Sequence, residues 1–237
     1  MVKKKAEEVV AELIVPNICV SIKGPPGSGK THLAYTFPPP VLAYNFDRRG
    51  MFVRNRPEFK DKDIDVKVFM PPVSDTLEPD KDTAKFRNEI RKSYKADVES
   101  GKYETVVLDP NTILWEHIHR AFKYDEGRGK LRARSYGEPN AQMSWYINYP
   151  LELGMNVVVI SYLRDKYVDD KPTGEEVIDG FKRTDGFADI VIETSLDKEN
   201  RVVSKITKCG FDKELTGEVQ YDTDYDELVG LIFAEDE

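Results

Sequence analysis

Short runs of apolar residues alternate along this chain with segments that carry the repeat of an amphipathic helix. Phe86, Ile90, Tyr94 and Val98 recur every four residues, which predicts a helix over about 83–99. Strands that are apolar on both faces and alternate with helices are typical of an α/β fold, with a mostly parallel sheet covered on both sides. The four apolar runs that predict buried strands are "NICVSIKG", "VLAYNFD", "YETVVLD" and "NVVVISY".

Further elements follow from the same patterns. Ile113, Ile118 and Phe122 share one side of a predicted helix after the third strand. The segment "PNAQMSWYINYPLEL" is typical of a helix, which we expect Pro150 to bend or divide because proline lacks an N–H donor. The remaining patterns predict a long polar loop over 165–186, strands in "DIVIET" and "RVVSKIT", and a C-terminal helix in "YDELVGLIF".

The chain has 237 residues without an internal repeat or a low-complexity linker, and we interpret it as one folded domain. We expect an N-terminal extension over 1–16, an α/β core over 17–211 and an acidic C-terminal segment over 212–237. That segment has ten acidic residues and one lysine, which give it a net charge of −9. The whole chain carries a net charge of −8. The preceding 211 residues therefore carry a net charge of +1.

A basic segment lies within this nearly neutral part of the chain. Residues 120–136 carry six cations against Asp125 and Glu126. Binding to nucleic acid would explain such a segment, and so would the ordinary scatter of charge on a solvated surface. The candidates for nucleic-acid contact are Arg128, Lys130, Arg132 and Arg134.

The stretch "GPPGSGKT" follows the first apolar strand and precedes a helix that three prolines end near Phe37. It fits the phosphate-binding pattern G-x-x-x-x-G-K-[ST]. The glycines let the backbone wrap a phosphate group, and the helix N-terminus adds its dipole. We expect Lys30 to neutralise the β- and γ-phosphates of a nucleoside triphosphate and Thr31 to bind Mg²⁺. The residues expected to contact the nucleotide are Gly24, Pro25, Pro26, Gly27, Ser28, Gly29, Lys30, Thr31 and His32.

Three polar residues end other predicted strands, at the edge where ligands gather in parallel sheets. Asp109 is a candidate to hold Mg²⁺, and equally a candidate N-cap of the next helix. Asp47 is the best-placed acid to activate water, although aspartate is also common in turns. Tyr162 is a candidate sensor of the γ-phosphate or a cap of the sheet edge.

Four further cations are candidates to reach the nucleotide of a neighbouring subunit. Lys205 and Lys208 lie in "VVSKITK", where strand geometry would place them on opposite faces. Lys182 and Arg183 lie in the predicted polar loop. Contact with solvent alone is the alternative for each of them.

Cysteine content and apolar runs also limit the class of protein. Cys19 and Cys209 are the only cysteines and lie in apolar runs, which predicts buried thiols rather than a disulfide or metal site. The N-terminus lacks the apolar stretch of a signal peptide, and no apolar run approaches the roughly 18 residues that span a bilayer. We expect a cytoplasmic protein without a membrane partner.

The order of these motifs resembles a known family. The phosphate loop, the acid at the next strand end, "VVLDPNTILWE", "SYGEPN" and "GMNVVVISYLRD" are similar to phage nucleotide-binding proteins of the AAA-type P-loop class with a RecA-like core. Within that class the chain looks most like the compact phage single-strand annealing and recombination ATPases, over about 17–211. The resemblance implies a RecA-like ATPase that uses ATP and Mg²⁺ in the cytoplasm of a bacterial or archaeal host.

The resemblance also implies a role for individual residues. Water activation maps to Asp47, where the family more often has glutamate. Magnesium binding maps to Asp109, which Pro110 follows here in place of the usual serine. The polar residue at the end of the fourth strand, commonly glutamine or histidine, is Tyr162.

The resemblance further implies partners. Loops at about 125–138 and 165–186 would face single-stranded DNA, with Tyr136, Tyr167 and Phe181 as candidates to stack on bases. The implied partners are single-stranded DNA, further copies of the chain in a ring or filament, and a single-stranded-DNA-binding protein. The acidic C-terminal segment would compete with DNA for the basic loops or recruit a partner.

Other functions share a phosphate loop and stay open at this point. A P-loop kinase of a small molecule or nucleotide would use "GRGKLRARS" as a lid. A non-catalytic module would use ATP to order a surface for a protein partner, and a packaging or helicase motor would use it for movement. The strand over 41–46, which separates the loop from Asp109 in sequence, favours the RecA-like ATPase over the kinase.

Overall fold

A mixed sheet with helices on both faces forms the centre of the molecule. The computed structural model describes residues 16–73, 81–125, 127 and 136–233. Within these residues the strand order is β3-β2-β4-β5-β1-β7-β8-β9, and β6 pairs with β5 alone. The strands are β1 (Cys19–Lys23), β2 (Val41–Asn45), β3 (Ile64–Val68), β4 (Thr105–Asp109), β5 (Asn156–Val168), β6 (Lys171–Asp179), β7 (Ile190–Leu196), β8 (Val202–Cys209) and β9 (Val219–Tyr221).

Strands β3, β2, β4, β5, β1 and β7 run parallel, and β8 and β9 continue the sheet in antiparallel pairing. This confirms the predicted α/β class with a mostly parallel sheet flanked by helices. A short 3₁₀ helix covers Pro57–Phe59. The α-helices are α1 (Lys30–Thr36), α2 (Arg49–Arg54), α3 (Lys81–Val98), α4 (Asn111–Asp125), α5 (Gly137–Glu152), α6 (Thr184–Phe187) and α7 (Tyr225–Phe233).

Two apolar cores lie on opposite faces of the sheet because successive strand residues point to opposite sides. Helices α3, α4 and α5 cover one face, where Tyr94 and Tyr146 pack with residues of the central strands. Helices α1 and α7 cover the other, where Leu33 and Leu228 are buried. Cys19 is buried in this double-sided core, and burial raises the pKa of its thiol to about 12. The prediction of two buried free thiols is thus confirmed.

The strand that separates the phosphate loop from Asp109 in the sheet is not the one that follows the loop in sequence. Strand β5 lies between β1 and β4, whereas β2 lies on the far side of β4. A strand between the phosphate loop and Asp109, the feature that favours a RecA-like ATPase, is therefore present in the sheet. It is β5 and not β2. Sequence order alone did not show this, because parallel strands need not be neighbours in the order of the chain.

The prediction of a long polar loop over 165–186 is wrong. Strand β5 continues to Val168, turns at Asp169 and Asp170, and returns as β6, so that the segment forms a β-hairpin arm. Both turn residues have positive φ, at 50° and 59°, as a tight turn between twisted strands requires. The sequence did not predict these strands, because neither face of the arm is apolar and its residues therefore lack an apolar–polar alternation.

Helix α5 continues through Pro150 and is not divided as predicted. Proline removes the N–H that would bond to the carbonyl of Tyr146, four residues earlier. The hydroxyl of Tyr94 on α3 donates a 2.6 Å hydrogen bond to this carbonyl instead. A neighbouring helix thus supplies the donor that the proline lacks, in a buried position where an unpaired carbonyl would be costly.

The acidic C-terminal segment is part of this fold over its described length. Strand β9 pairs with β8, and α7 packs on α1 with Leu228 and Val229 buried. The expected division into 1–16, 17–211 and 212–237 stays a prediction, and residues 1–15 lie outside the described part of the chain. No helix in that part is long and apolar enough to cross a membrane.

Replacing Tyr94 with phenylalanine should destabilise the protein by about 1–3 kcal/mol, because the Tyr146 carbonyl is then buried without its donor. In a Pro150→Ala background the same change should cost less, since the new N–H of residue 150 reaches that carbonyl. Urea unfolding of the two single variants and the double variant measures this coupling. An equal cost of Tyr94→Phe in both backgrounds would contradict the explanation.

Candidate functional site

The phosphate loop joins the end of β1 to the start of α1. Gly24 has a φ of 152°, and a Cβ atom there would lie 2.2 Å from the carbonyl oxygen of Thr194 on β7. Gly29, with a φ of 85°, precedes the helix directly, and a Cβ atom there would meet the side chain of Val202 at 2.8 Å. Glycine is therefore required at Gly24 both for its conformation and for the close approach of β7.

Lys30 lies at the first position of α1, with 6% of its surface exposed. Its ammonium group donates to the carbonyl oxygens of Gly24 and Pro25, at 2.7 and 2.6 Å. Burial lowers the pKa of Lys30 to about 8, although the nearby carboxylates of Asp109 and Asp47 oppose the shift. The loop thus holds a poorly solvated cation on its own backbone, which a phosphate group would stabilise.

Asp109 ends β4, 4% exposed, and accepts a 2.8 Å hydrogen bond from the Thr31 hydroxyl. The side-chain amide of Asn45, at the end of β2, lies 3.3 Å from the same carboxylate oxygen. Burial raises the pKa of Asp109 to about 6, with the hydrogen bond from Thr31 acting against the increase. A buried carboxylate beside a threonine hydroxyl supplies the oxygen ligands that Mg²⁺ prefers, so these residues fit that ion.

Asp47 and Tyr162 are in direct contact across the sheet edge. The Tyr162 hydroxyl donates to one carboxylate oxygen of Asp47 at 3.0 Å. The backbone N–H of Arg49 donates to the other at 2.7 Å, so that the start of α2 fixes the orientation of the carboxylate. Burial, together with the charge of Asp47, raises the pKa of Tyr162 above its usual value. The tyrosine is therefore a hydrogen-bond donor at neutral pH.

These residues line one cleft of about 570 Å³. Among the residues that we had expected there, it includes Pro26, Lys30, Thr31, Asp47, Asp109 and Tyr162. Sequence reasoning missed its other side, formed by residues in segments without a recognised motif. Behind the lining, Asn45 contacts the Asp109 carboxylate, and its signal in the sequence is a polar residue that ends an otherwise apolar strand. The missed lining residues are Leu33, Phe52, Val53, Arg56, Leu196, Asn200, Val202, Asp222 and Thr223.

A second cleft, of about 850 Å³, has Thr112 in its wall, at the start of α4. The hydroxyl of Thr112 accepts from the backbone N–H of Tyr162 at 2.9 Å and donates to the carbonyl of Asp179 at 2.6 Å. Tyr162 lines the first cleft, whereas Thr112 and Asp179 line the second. The base of the hairpin arm is therefore bonded to the residue that contacts Asp47.

Aromatic rings and cations face the second cleft. The ring of His119 stacks on Trp115 and on Tyr136, with centroids 5.6 and 5.1 Å apart. Three cations line the cleft, Arg164, Lys182 and Arg183, together with the acids Glu116 and Asp179. This combination of aromatic and basic groups suits a ligand with both flat rings and negative charge.

The residues expected to contact DNA have different positions. Arg128, Lys130, Arg132 and Arg134 lie outside the described residues. Tyr136 and Tyr167 are 38% and 55% exposed, but Phe181 is 1% exposed and is packed against Trp115 and Phe187. The expectation that Phe181 stacks on bases is therefore wrong, because its ring belongs to the core.

The hairpin arm itself is acidic, with six acids against three bases over residues 164–179. The basic pair Lys182 and Arg183 comes after it and is exposed. Of the candidates to reach a neighbouring subunit, Lys205 is exposed on β8, whereas Lys208 donates to the carbonyls of Asp185 and Ala188 at 3.0 and 2.5 Å. These bonds hold Lys208 within its own chain. The other three cations are therefore better candidates to reach a neighbouring subunit.

Nucleotide affinity should fall as pH rises through about 8, because the folded protein then loses the proton of Lys30 that the phosphates require. The loss should approach about tenfold per pH unit, as for the release of a single proton. Titration with a nucleoside triphosphate between pH 7 and 9.5 measures it. Lys30→Arg, whose guanidinium stays charged, should bind with little change over this range, and a flat wild-type profile would contradict the prediction.

Comparisons with known proteins identify the family of the chain. A comparison with curated proteins found no match. A crystal structure of a KaiC-like protein from the hyperthermophilic archaeon Pyrococcus horikoshii OT3 is similar over 87% of this chain and 82% of that chain, with 16% identity and a TM-score of 0.47. Residues 16–208 match the AAA domain family. Since this match spans most of the 237 residues, the chain belongs to the AAA domain family.

Proposed function

We propose that the protein binds and hydrolyses ATP with Mg²⁺, and that it binds single-stranded DNA in phage-type recombination or strand annealing. The observation that carries the ATPase is the convergence of Lys30, Thr31, Asp109 and Asp47 on one cleft. Their chemistry covers the requirements of phosphoryl transfer to water: a phosphate cradle, a metal site and an acid that orients the nucleophile. Family membership supports the nucleotide part of the proposal.

In this proposal each residue has one task. Lys30 exchanges its bonds to the loop carbonyls for bonds to phosphate oxygens, and Thr31 and Asp109 hold Mg²⁺. The ion neutralises charge on the β- and γ-phosphates. Asp47 accepts a hydrogen bond from the attacking water, since each carboxylate oxygen keeps a lone pair beyond its bonds to Tyr162 and Arg49.

The sheet order supports an ATPase over a small-molecule kinase. Strand β5 separates the strand of the phosphate loop from the strand of Asp109, an order that many kinases of this superfamily do not share. The strand also brings Tyr162 to the cleft, where its hydroxyl contacts Asp47. Transfer of phosphate to an acceptor without release of inorganic phosphate would favour the kinase instead.

The second cleft supports the nucleic-acid part of the proposal. Stacked rings of Trp115, His119 and Tyr136 provide surfaces for bases, and Lys182 and Arg183 provide charge for the backbone. The acidic hairpin arm is unsuited to the phosphate backbone. We therefore place single-stranded DNA along the second cleft rather than on the arm.

Assembly would complete the site. We propose that copies of the chain form a ring or filament in which one exposed cation of one copy approaches the nucleotide of the next. Lys205 is the first candidate, and Lys182 or Arg183 takes this role only where it does not contact DNA. The exposure of these three cations supports this role. A single-stranded-DNA-binding protein is the further partner that the resemblance implies.

ATP turnover should rise when single-stranded DNA is added. Asp47→Asn should lower turnover by about a hundredfold or more, because the amide no longer acts as a base, while ATP affinity stays close to that of the wild type. Release of inorganic phosphate with and without an oligonucleotide measures both effects. Full turnover by Asp47→Asn would assign water activation to another group. Absence of turnover in the wild type would contradict the proposal that the protein is an ATPase.

The second cleft can be tested with a charge-matched pair of variants. Lys182→Gln with Arg183→Gln should weaken binding to single-stranded DNA, and should reduce the slope of log affinity against log salt by about 1.4 if both residues contact phosphates. Lys166→Gln with Lys171→Gln removes the same charge from the hairpin arm and should bind nearly as the wild type does. Fluorescence anisotropy with a labelled oligonucleotide and ATP measures the affinities of the wild type and of both double variants at two salt concentrations. Equal losses in the two pairs would contradict the placement of DNA.

A further inference from the structure

The connection between β9 and α7 forms part of the wall of the nucleotide cleft. Asp222 and Thr223 lie in this connection and line the cleft together with the phosphate loop. Both belong to the acidic C-terminal segment, beyond residue 208 where the match to the AAA domain family ends. The family therefore assigns no role to them.

Hydrogen bonds hold Asp222 against Val202, at the start of β8. Its backbone N–H donates to the carbonyl of Val202 at 2.9 Å, and its Oδ1 accepts from the Val202 N–H at 3.1 Å. The side chain of Val202 in turn lies against Gly29. One oxygen of the carboxylate, Oδ1, is thus used by the fold. The other, Oδ2, makes no hydrogen bond or ion pair with the described part of the chain.

Helix α7 fixes the same connection to α1. The N–H of Tyr225 donates to the Thr36 hydroxyl at 2.9 Å, and the rings of Tyr225 and Phe37 lie 4.8 Å apart. Since α1 begins at Lys30 of the phosphate loop, Asp222 and Thr223 are positioned by the same helix that positions the phosphates.

The charge of Asp222 indicates which part of a nucleotide it would contact. A carboxylate repels phosphates, and the γ-phosphate end of the cleft is already defined by Lys30, Asp109 and Asp47. Asp222 lies in the wall of the cleft that also contains His32, the residue after Thr31. The uncharged nucleoside is the part of the nucleotide that can approach this carboxylate favourably.

Thr223 adds an independent observation. The residue is 5% exposed, and its hydroxyl is buried without a hydrogen-bond partner among the described residues. Such a group costs free energy in the nucleotide-free protein. Rotation about its Cα–Cβ bond would direct the hydroxyl to a ligand in the cleft that the residue lines.

We infer that Asp222 and Thr223 bind the nucleoside of the nucleotide, with Asp222 Oδ2 accepting a hydrogen bond from it. The donor is either a ribose hydroxyl or the exocyclic amine of adenine. This inference rests on the proposed function, because it names further residues that bind the same nucleotide. It makes the acidic C-terminal segment a component of the nucleotide site.

The test is the affinity of the full chain for ATP, dATP and GTP, measured by calorimetry for the wild type and for Asp222→Asn. Asparagine tolerates the φ of 51° at this position and still accepts from the Val202 N–H, so the variant should fold. Loss of the charged acceptor should weaken ATP binding about tenfold or more. Asp224→Asn is the matched control, since it removes one charge from the same connection and asparagine still caps α7.

The three nucleotides distinguish the two donors. If Asp222 accepts from the ribose, the wild type should prefer ATP over dATP and Asp222→Asn should lose that preference. If it accepts from the adenine amine, the preference for ATP over GTP should be lost instead. Equal ATP affinity in Asp222→Asn and Asp224→Asn would overturn the inference, whereas a wild type that binds no nucleotide would overturn the proposed function as well.

Thr223→Val provides a readout that a merely structural role would not show. Valine has the same shape without the buried hydroxyl, so the nucleotide-free variant should melt at the same or a higher temperature than the wild type. Its stabilisation by saturating ATP should be smaller, because one bond to the nucleoside is missing. An unchanged stabilisation by ATP would exclude Thr223 from the site.

Discussion

The parallel pairing of β4, β5 and β1 is the constraint on which the rest of the structure depends. The register sets Leu108 beside Val159 and Lys23 beside Ser161, so the carboxyl ends of three strands meet at one edge. Three groups of the first cleft are placed from there: the phosphate loop after β1, Asp109 at the end of β4, and Tyr162 immediately beyond the parallel part of β5. A shift of one residue would exchange the faces of the strands and separate these side chains.

The cleft holds charges that the fold stabilises incompletely. Among the described residues, Lys30 donates only to backbone carbonyls, and Asp109 accepts from Thr31 and Asn45 without a cation in direct contact. Burial consequently moves both pKa values toward neutrality, the lysine downward and the aspartate upward. A nucleotide with its metal ion would supply the missing partners on both sides. The electrostatics of the free protein thus favour the binding of a phosphate and a cation together.

Elsewhere, groups far apart in the sequence complete one another. Tyr94 on α3 provides the donor that Pro150 removes from α5, so a helix with an internal proline stays whole. Thr112 joins the hairpin arm to the strand of Tyr162 by two hydrogen bonds, and Asp222 ties the C-terminal segment to the strand that faces the phosphate loop. Each of these contacts joins residues that are far apart in the sequence. Local sequence patterns therefore do not predict them.

The sequence by itself determined the α/β class, the phosphate loop and the strand-end positions of Asp109 and Asp47, because apolar runs and glycine spacing are local signals. It also placed the end of α1 correctly, since prolines cannot continue a helix. Only the tertiary structure decided that β5 separates β1 from β4, that 165–179 forms an arm, that Phe181 is buried and that Asp222 reaches the cleft. These features arise from pairing between distant segments, and the energy of such pairing depends on neighbours that composition and periodicity do not identify.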